Sequence, residues 1–211
     1  MLGNLLKQIA VQEPVNTVIH IHNDGSTSNY FPVINKYKAL LELRYFVYDH
    51  YGKKKYWALV NKCFKARAKA RYYIMLPDDD IICDNFFNKV INKWNAIINF
   101  KKITLMPSVN NERKWHECWT FVNPKKEGEV YNTGYVDMRF ISESKFFTEL
   151  GEIRPVDQAR WAKDPLLGSG VGSQISNTLH DKGWNMYISE ENLTHQTEHK
   201  SKMNPGRPPI Y

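Results

Sequence analysis

The chain has 211 residues, 42% of them hydrophobic and 13% aromatic, which is enough to bury one substantial core. Its formal net charge of +7 favours anionic partners and leaves phosphorylated small molecules, nucleic acid and anionic lipid open. No stretch approaches the roughly 20 apolar residues of a membrane span, and the N-terminus lacks the pattern of a secretion signal. We therefore expect a cytoplasmic protein of one domain. Its three cysteines, Cys63, Cys83 and Cys118, are too scattered for a disulfide framework or a zinc site.

Strand and helix patterns alternate through the first half of the chain. Apolar spacing and turn residues predict, in chain order, a helix over 2–10, a strand over 17–22, a helix over 33–41, a strand over 43–48, a helix within 53–71 and a strand over 72–76. The helix within 53–71 has a basic face, formed by Lys62, Lys65, Arg67, Lys69 and Arg71. Such a face is usually solvated, but it can also contact a polyanion.

The second half is more mixed. Asp84 is the expected N-cap of a helix that continues to residue 98, and Gly183 is expected to end a helix that begins at residue 171. The other elements predicted here are strands over 103–106, 130–141 and 184–189 and a helix over 142–150, with no regular structure from residue 190 onward. The pattern as a whole predicts an α/β sandwich with parallel strands joined by right-handed crossovers.

Three consecutive carboxylates follow the predicted buried strand over residues 72–76. They are Asp78, Asp79 and Asp80, directly after Pro77. In open α/β sheets, ligands bind beyond the carboxyl ends of strands, and carboxylate oxygens suit Mg2+ or Mn2+ shared with substrate phosphates. The alternative is a solvated acidic turn before a helix. His20 and His22 lie on one face of an earlier strand, where they either bind a metal or are held by hydrogen bonds.

Several separated motifs stand in a recognisable order. They are HNDGSTSN at residues 22–29, Gly52 and Lys53 followed by Ala58 and Asn61, the run IMLPDDD, the run TGYVDMRF, and the run KGWNMYISEENLTHQ. Together they resemble the D-D-G-S-T-D strand end, the G-K-x-x-A-x-N helix start, the metal-binding aspartate motif, the acceptor-side strand and the late histidine of inverting family-two glycosyltransferases. The resemblance covers nearly the whole chain.

The resemblance implies a GT-A fold, a nucleotide-sugar-binding, Rossmann-like α/β/α sandwich with a mixed, mainly parallel sheet. It implies one domain over residues 1–211, with a nucleotide-sugar-binding half over about 1–106, an acceptor-side half over about 107–195, and a polar tail or lid over 196–211. The implied activity is metal-dependent transfer of a sugar from a nucleoside-diphosphate sugar, with a UDP-sugar as the leading donor. The hydroxyl acceptor would belong to a polysaccharide, a lipid, a protein or a modified base in DNA.

The resemblance also assigns roles to individual residues. Asp80 would be the main metal ligand for Mn2+ or Mg2+, with His195 as a further ligand and Asp78 in contact with ribose or metal. The remaining donor-side residues would be Asp24 at the nucleotide, Asp79 as a further donor-binding residue, Lys53 near the donor, and Lys200, Lys202 and Arg207 in a tail that folds over the phosphates.

Two departures from the family pattern affect these assignments. The family opens with a strand before its first helix, whereas here Met1 falls where that helix should already be starting. The family also places a Glu-Asp pair at the start of the helix that we predict from residue 171, and this chain reads GSGVGSQIS there. Asp164, Asp157 and Asp137 are the substitute candidates for the general base, and a retaining mechanism stays open.

Two other function classes use some of the same residues. A nucleotidyltransferase would also place carboxylates at strand ends, but it would be expected to carry a glycine-rich phosphate loop near the N-terminus, which the sequence lacks. A nucleic-acid-binding protein would use the basic helix face, but it leaves the triple aspartate unexplained, because carboxylates repel phosphate without a metal. The oligomeric state is not indicated.

Overall fold

Helices and strands alternate from the N-terminus in the computed structural model, which describes residues 1–107, 124–156 and 170–196. The helices are α1 (Leu2–Val11), α2 (Phe31–Tyr37), α3 (Tyr56–Lys65), α4 (Phe86–Ala96), α5 (Lys145–Leu150) and α6 (Val171–Asp181), with a short 3-10 helix at Lys53–Lys55. The strands are β1 (Val18–Asn23), β2 (Glu42–Val47), β3 (Tyr73–Met75), β4 (Asp80–Ile82), β5 (Lys102–Met106), β6 (Lys125–Glu127), β7 (Val130–Asn132), β8 (Phe140–Ser142), β9 (Asn185–Ser189) and β10 (Thr194–Gln196). No helix within these described ranges is long and apolar enough to cross a membrane.

The described strands form one large sheet and two small ladders. The large sheet has six strands in the order β3-β8-β5-β9-β7-β6. The pairings make β3, β5, β9 and β6 run in one direction, with β8 and β7 opposed to them. A parallel ladder joins β1 to β2, and an antiparallel ladder joins β4 to β10. The sheet is therefore mixed, with four of its six strands running in the same direction.

Side chains alternate between the two faces of the sheet, as the pleat requires. Leu105 and Tyr187 join the core that includes Leu6 of α1 and Trp94 of α4. Their chain neighbours Met106, Met186 and Ile188 face the opposite core, which packs against α3, α5 and α6. Ile103 also joins that core, at an irregularity in the register between Lys102 and Thr104. Full burial of one such side chain stabilises the fold by about 1.5–3 kcal/mol. The expected α/β sandwich, covered by helices on both faces, is confirmed.

Helix α1 shows why the local predictions succeed. Its apolar residues recur at three- and four-residue spacing, and the four predicted to share one face are all buried, namely Leu2, Leu5, Leu6 and Ile9. The predicted helix from residue 171 is likewise found, and Gly183, with φ of 74°, follows its C-cap. These elements are specified by short-range periodicity.

Four local predictions were wrong. Helix α3 ends at Lys65, so Arg67, Lys69 and Arg71 do not extend a basic helix face. Asp84 is not the cap of α4, because the N-cap is Asn85 in a left-handed conformation with φ of 58°. The strand expected over residues 130–141 is divided into β7 and β8, with Gly134 at positive φ between them. Strand β10 lies in the stretch expected to lack regular structure.

Candidate functional site

Three of the acidic residues singled out in the sequence border one cavity. Asp24 follows the carboxyl end of β1, while Asp78 and Asp79 follow β3, and all of them line a cavity of about 1510 Å3. The strand ends of an α/β sheet therefore bring together carboxylates that are more than fifty residues apart in the chain.

Asp24 is fixed by the loop that follows β2. Its carboxylate oxygens accept hydrogen bonds from the backbone N–H groups of Tyr51 at 2.7 Å and Gly52 at 3.1 Å. Gly25 has a φ of +64°, and a Cβ placed there would lie 2.6 Å from the backbone nitrogen of His50. Glycine is therefore required at this close approach, and the carboxylate is held at the cavity wall.

Asp78 and Asp79 form the acidic part of the cavity rim. Burial and the neighbouring charge of Asp79 raise the pKa of Asp78, while the α-amino group of Met1 opposes that rise. Two adjacent carboxylates repel each other, and a bound cation or solvent reduces that repulsion. This donor set fits Mg2+ or Mn2+, which typically takes one or two carboxylates and fills its other positions with phosphates and water. Among the described residues, no group of three or more His, Cys, Asp or Glu side chains is arranged to hold a metal.

Asp80 has a different partner. Its side chain is fully buried, and both carboxylate oxygens accept hydrogen bonds from the guanidinium of Arg139, with Arg139 Nε 2.5 Å from Oδ2. Burial raises the pKa of Asp80 to about 6, and Arg139 opposes that rise, so the carboxylate is ionised at pH 7. Burial acts to lower the pKa of Arg139, but Asp80, Asp137 and Asp79 outweigh it and raise the pKa. The pair anchors the acidic turn to Arg139, the residue directly before β8.

His195 lies beside this turn in β10. It pairs with Ile81 of β4, and the next residue, Gln196, pairs with Asp80. Because side chains alternate along a strand, His195 and Asp80 project from opposite faces of the ladder. His195 is exposed, whereas Asp80 is 2% exposed. The two predicted ligands are thus neighbours in backbone but are not brought together by their side chains.

Asp137 lies against the first turn of α6 and is not one of the residues that line the cavity. It is exposed, and a Cβ built on Gly172 would lie 3.5 Å from its Oδ1. Burial raises the pKa of Tyr56, and the charges of Asp137, Cys63 and Asp24 add to that rise. Tyr56 itself lines the cavity, together with Asp24.

Comparison with known proteins yields structural matches alone. No protein-family model and no curated protein matches the chain. Among solved structures, GalNAc-T7 with UDP, GalNAc and Mn2+ aligns at a TM-score of 0.63 and 15% identity, over 96% of this chain and 41% of that one. S. aureus TarS residues 1–349 in complex with UDP-GlcNAc align at a TM-score of 0.66 and 13% identity, over 98% of this chain and 57% of that one. Both are glycosyltransferases of the GT-A type.

The chain has the GT-A fold. The fold that the sequence motifs implied is thus confirmed. The chain spans about half the length of these neighbours, between 41% and 57%.

Several of the site residues predicted from the sequence lie outside the described part of the structure. They are Asp157, Asp164, Lys200, Lys202 and Arg207, together with the side chain of Lys53. Their roles stay predictions. Asn61, quoted as part of the Gly52 motif, exchanges two hydrogen bonds with the backbone of Ile153 at 2.8 and 3.0 Å, and so ties α3 to the segment after α5.

His22 of β1 has a hydrogen-bonding partner and a stacking partner among the side chains of β2 and the loop that follows it. His22 Nδ1 lies 3.0 Å from the hydroxyl of Tyr48, and its ring stacks on Phe46 at a centroid distance of 4.8 Å. Burial, followed by the charge of His20, lowers the pKa of His22 to about 4. The hydrogen-bonded alternative for His22 agrees with this geometry.

Sequence reasoning missed Arg139 and Tyr56. Arg139 stands inside the quoted run TGYVDMRF, where its only signal was a basic residue directly before a short apolar strand. A buried arginine requires a partner, which could have directed attention to the aspartate cluster. Tyr56 gave no signal, because it reads as one of many aromatic residues at the start of a helix.

Proposed function

We propose that this protein is a metal-dependent glycosyltransferase that moves a sugar from a nucleoside-diphosphate sugar to a hydroxyl acceptor. The observation that carries the proposal is the joint placement of Asp24, Asp78 and Asp79 on one cavity at the strand ends of a GT-A fold. UDP is the favoured nucleotide, since GalNAc-T7 was crystallised with UDP and TarS with UDP-GlcNAc. Residues 1–106 would form the donor half and residues 107–195 the acceptor half.

On the donor side, we assign Asp24 to the nucleotide and the pair Asp78 and Asp79 to the metal-diphosphate group. Mn2+ is favoured because GalNAc-T7 was crystallised with it, and Mg2+ fits the same oxygen ligands. When bound, the cation would neutralise the charge that develops on the departing diphosphate. The buried pair of Asp80 and Arg139 keeps the acidic turn in position.

On the acceptor side, we assign Asp137 as the general base. Its placement against the first turn of α6 is the reason to favour it, because that turn carries no carboxylate of its own. An exposed carboxylate can accept the proton of a hydroxyl that comes within hydrogen-bond reach. The acceptor hydroxyl would belong to a polysaccharide, a lipid, a protein or a modified base in DNA, and Asp157 and Asp164 remain further candidates for the base.

Titration calorimetry with UDP tests the donor side. Wild-type protein should bind UDP with Mn2+ at least about tenfold more tightly than without it, because the cation bridges carboxylates and diphosphate. Asp79→Asn should abolish the Mn2+ effect, while Asp181→Asn, an exposed carboxylate at the end of α6, should leave it unchanged. UDP binding that is indifferent both to Mn2+ and to Asp79→Asn would refute the donor assignment. Release of UDP from a UDP-sugar, followed by chromatography, is the corresponding activity measurement.

A further inference from the structure

Two large apolar side chains project into solvent from the loop between α4 and β5. Ile98 is 98% exposed and Phe100 is 81% exposed. Side chains in these positions remove little apolar surface from water, so they do not stabilise the fold through burial. A pair of exposed large apolar residues on one short loop is typical of a binding surface.

The loop that carries this pair is held in place by hydrogen bonds. Asn99 Nδ2 donates to the hydroxyl of Tyr187 at 3.0 Å, and Asn99 Oδ1 accepts from the N–H of Lys101 at 2.9 Å. Lys102 Nζ donates to the carbonyl oxygen of Ile97 at 2.7 Å, at the end of α4. Because the loop is already ordered, its outward side chains can bind a partner with a small loss of conformational entropy.

Positive charge lies beside the loop. The Nζ atoms of Lys101 and Lys145 are each 5.2 Å from the centre of the Trp184 ring. Arg71 precedes β3, and its guanidinium lies 4.9 Å from the centre of the Tyr72 ring. Among the described residues, no carboxylate forms an ion pair with any of these three cations. They are therefore available to an anionic partner.

Strand directions place the loop and the cations at one edge of the large sheet. Strands β3, β5 and β9 run in the same direction, so their amino ends share an edge, and Lys145 joins it because it follows the antiparallel β8. The Tyr72 hydroxyl donates to Asn95 Oδ1 at 3.0 Å, which ties the start of β3 to the end of α4. Asp78 and Asp79 follow the carboxyl end of β3 and lie at the other edge. We call the first region the basic edge; it comprises Arg71, residues 97–101, Lys145 and Trp184.

A bilayer with anionic headgroups matches the basic edge better than a protein or a nucleic acid does. A stable protein interface takes about 20–30 residues a side, whereas the exposed apolar contact here is two side chains. Nucleic acid phosphates would engage the cations, but they offer nothing to an aliphatic side chain such as Ile98. A membrane interface takes apolar side chains below the headgroups, cations at the headgroups and tryptophan between them.

We propose that the basic edge docks this protein on an anionic membrane surface. Ile98 and Phe100 enter the boundary between headgroups and acyl chains, and Lys101, Lys145 and Arg71 contact the lipid phosphates and carboxylates. The carboxylates of the cavity then face away from the negative surface that would repel them. The proposal does not depend on the proposed function, because docking needs neither nucleotide nor metal.

Co-sedimentation of the full chain with vesicles tests the apolar part of the contact. The vesicles consist of phosphatidylcholine alone or with about 30% phosphatidylserine. The variant Ile98→Ser with Phe100→Ser removes the apolar pair. Its matched control is Phe31→Ser with Val47→Ser, because these side chains are 60% and 59% exposed at the start of α2 and the end of β2, away from the basic edge.

A second pair of variants tests the charges. Lys101→Gln with Lys145→Gln removes two cations of the basic edge. Lys54→Gln with Lys55→Gln lowers the net charge by the same amount at two exposed residues before α3. The comparison separates a local contact with lipid from general attraction by the net charge of +7.

We expect wild type to bind the anionic vesicles, to be released as salt rises, and to bind neutral vesicles at least about tenfold more weakly. Each double variant of the basic edge should weaken binding to anionic vesicles at least about tenfold, and each control less than about threefold.

Three results would overturn the proposal. The first is no binding to anionic vesicles at about 50 mM salt, whether or not the protein is retained on single-stranded DNA. The second is equal vesicle binding by wild type and by Ile98→Ser with Phe100→Ser. The third is a dimer in sedimentation velocity that this variant loses, because the loop would then belong to an interface between two copies.

Discussion

Replacement of Arg139 by methionine should destabilise the protein strongly, even with no nucleotide or metal present. The substitution leaves Asp80 without its guanidinium partner at a site where the Asp80 side chain is 0% exposed. Removing one member of a buried pair typically costs about 3–5 kcal/mol, because the other charge is left uncompensated. For a chain of this size, 1 kcal/mol shifts Tm by about 2–4 °C, so the loss should be on the order of 10 °C.

The assay is urea unfolding in chelator, with Lys65→Met as the control, because the pair of Lys65 and Glu152 is exposed on both sides. The double variant Asp80→Leu with Arg139→Met removes both charges and should recover most of the lost stability. The reasoning fails if Arg139→Met lowers the free energy of unfolding by no more than Lys65→Met does. It also fails if the double variant loses as much free energy of unfolding as the two single variants added together. It also fails if Asp80→Asn abolishes Mn2+-dependent UDP binding without any loss of stability, since Asp80 would then act as a ligand.

Two more predictions concern titration and catalysis. The pKa of His22 is lowered to about 4 from 6.5, so the unfolded chain binds the extra proton first and stability falls as the pH drops from 6.5 toward 4. Allowing for partial exposure, wild type should lose about 1–2 kcal/mol more than His22→Phe between pH 7 and 4.5, and parallel unfolding curves would contradict this. Asp137→Asn should lower kcat about 100-fold or more with UDP affinity unchanged. Transfer at the wild-type rate would exclude Asp137 as the base.

The sequence predicted most of the helices and strands because their signals are local. The burial of Leu2, Leu5, Leu6 and Ile9 follows from spacing within α1, and spacing can be read without knowing the rest of the fold. Strand β10 could not be found in this way. Its three residues pair with β4, more than a hundred positions earlier, and nothing in their own composition indicates that partner.

The contacts of the three aspartates could likewise not be predicted from the sequence. Three consecutive residues of the same type, Asp78, Asp79 and Asp80, cannot be told apart by composition or spacing. The resemblance favoured Asp80 as the main metal ligand. In the structure, the chain turns into β4 at this point and directs Asp80 inward to Arg139, which is 59 residues away in the sequence. A pairing over that distance depends on how β8 sits beside β3, and neither segment encodes it alone.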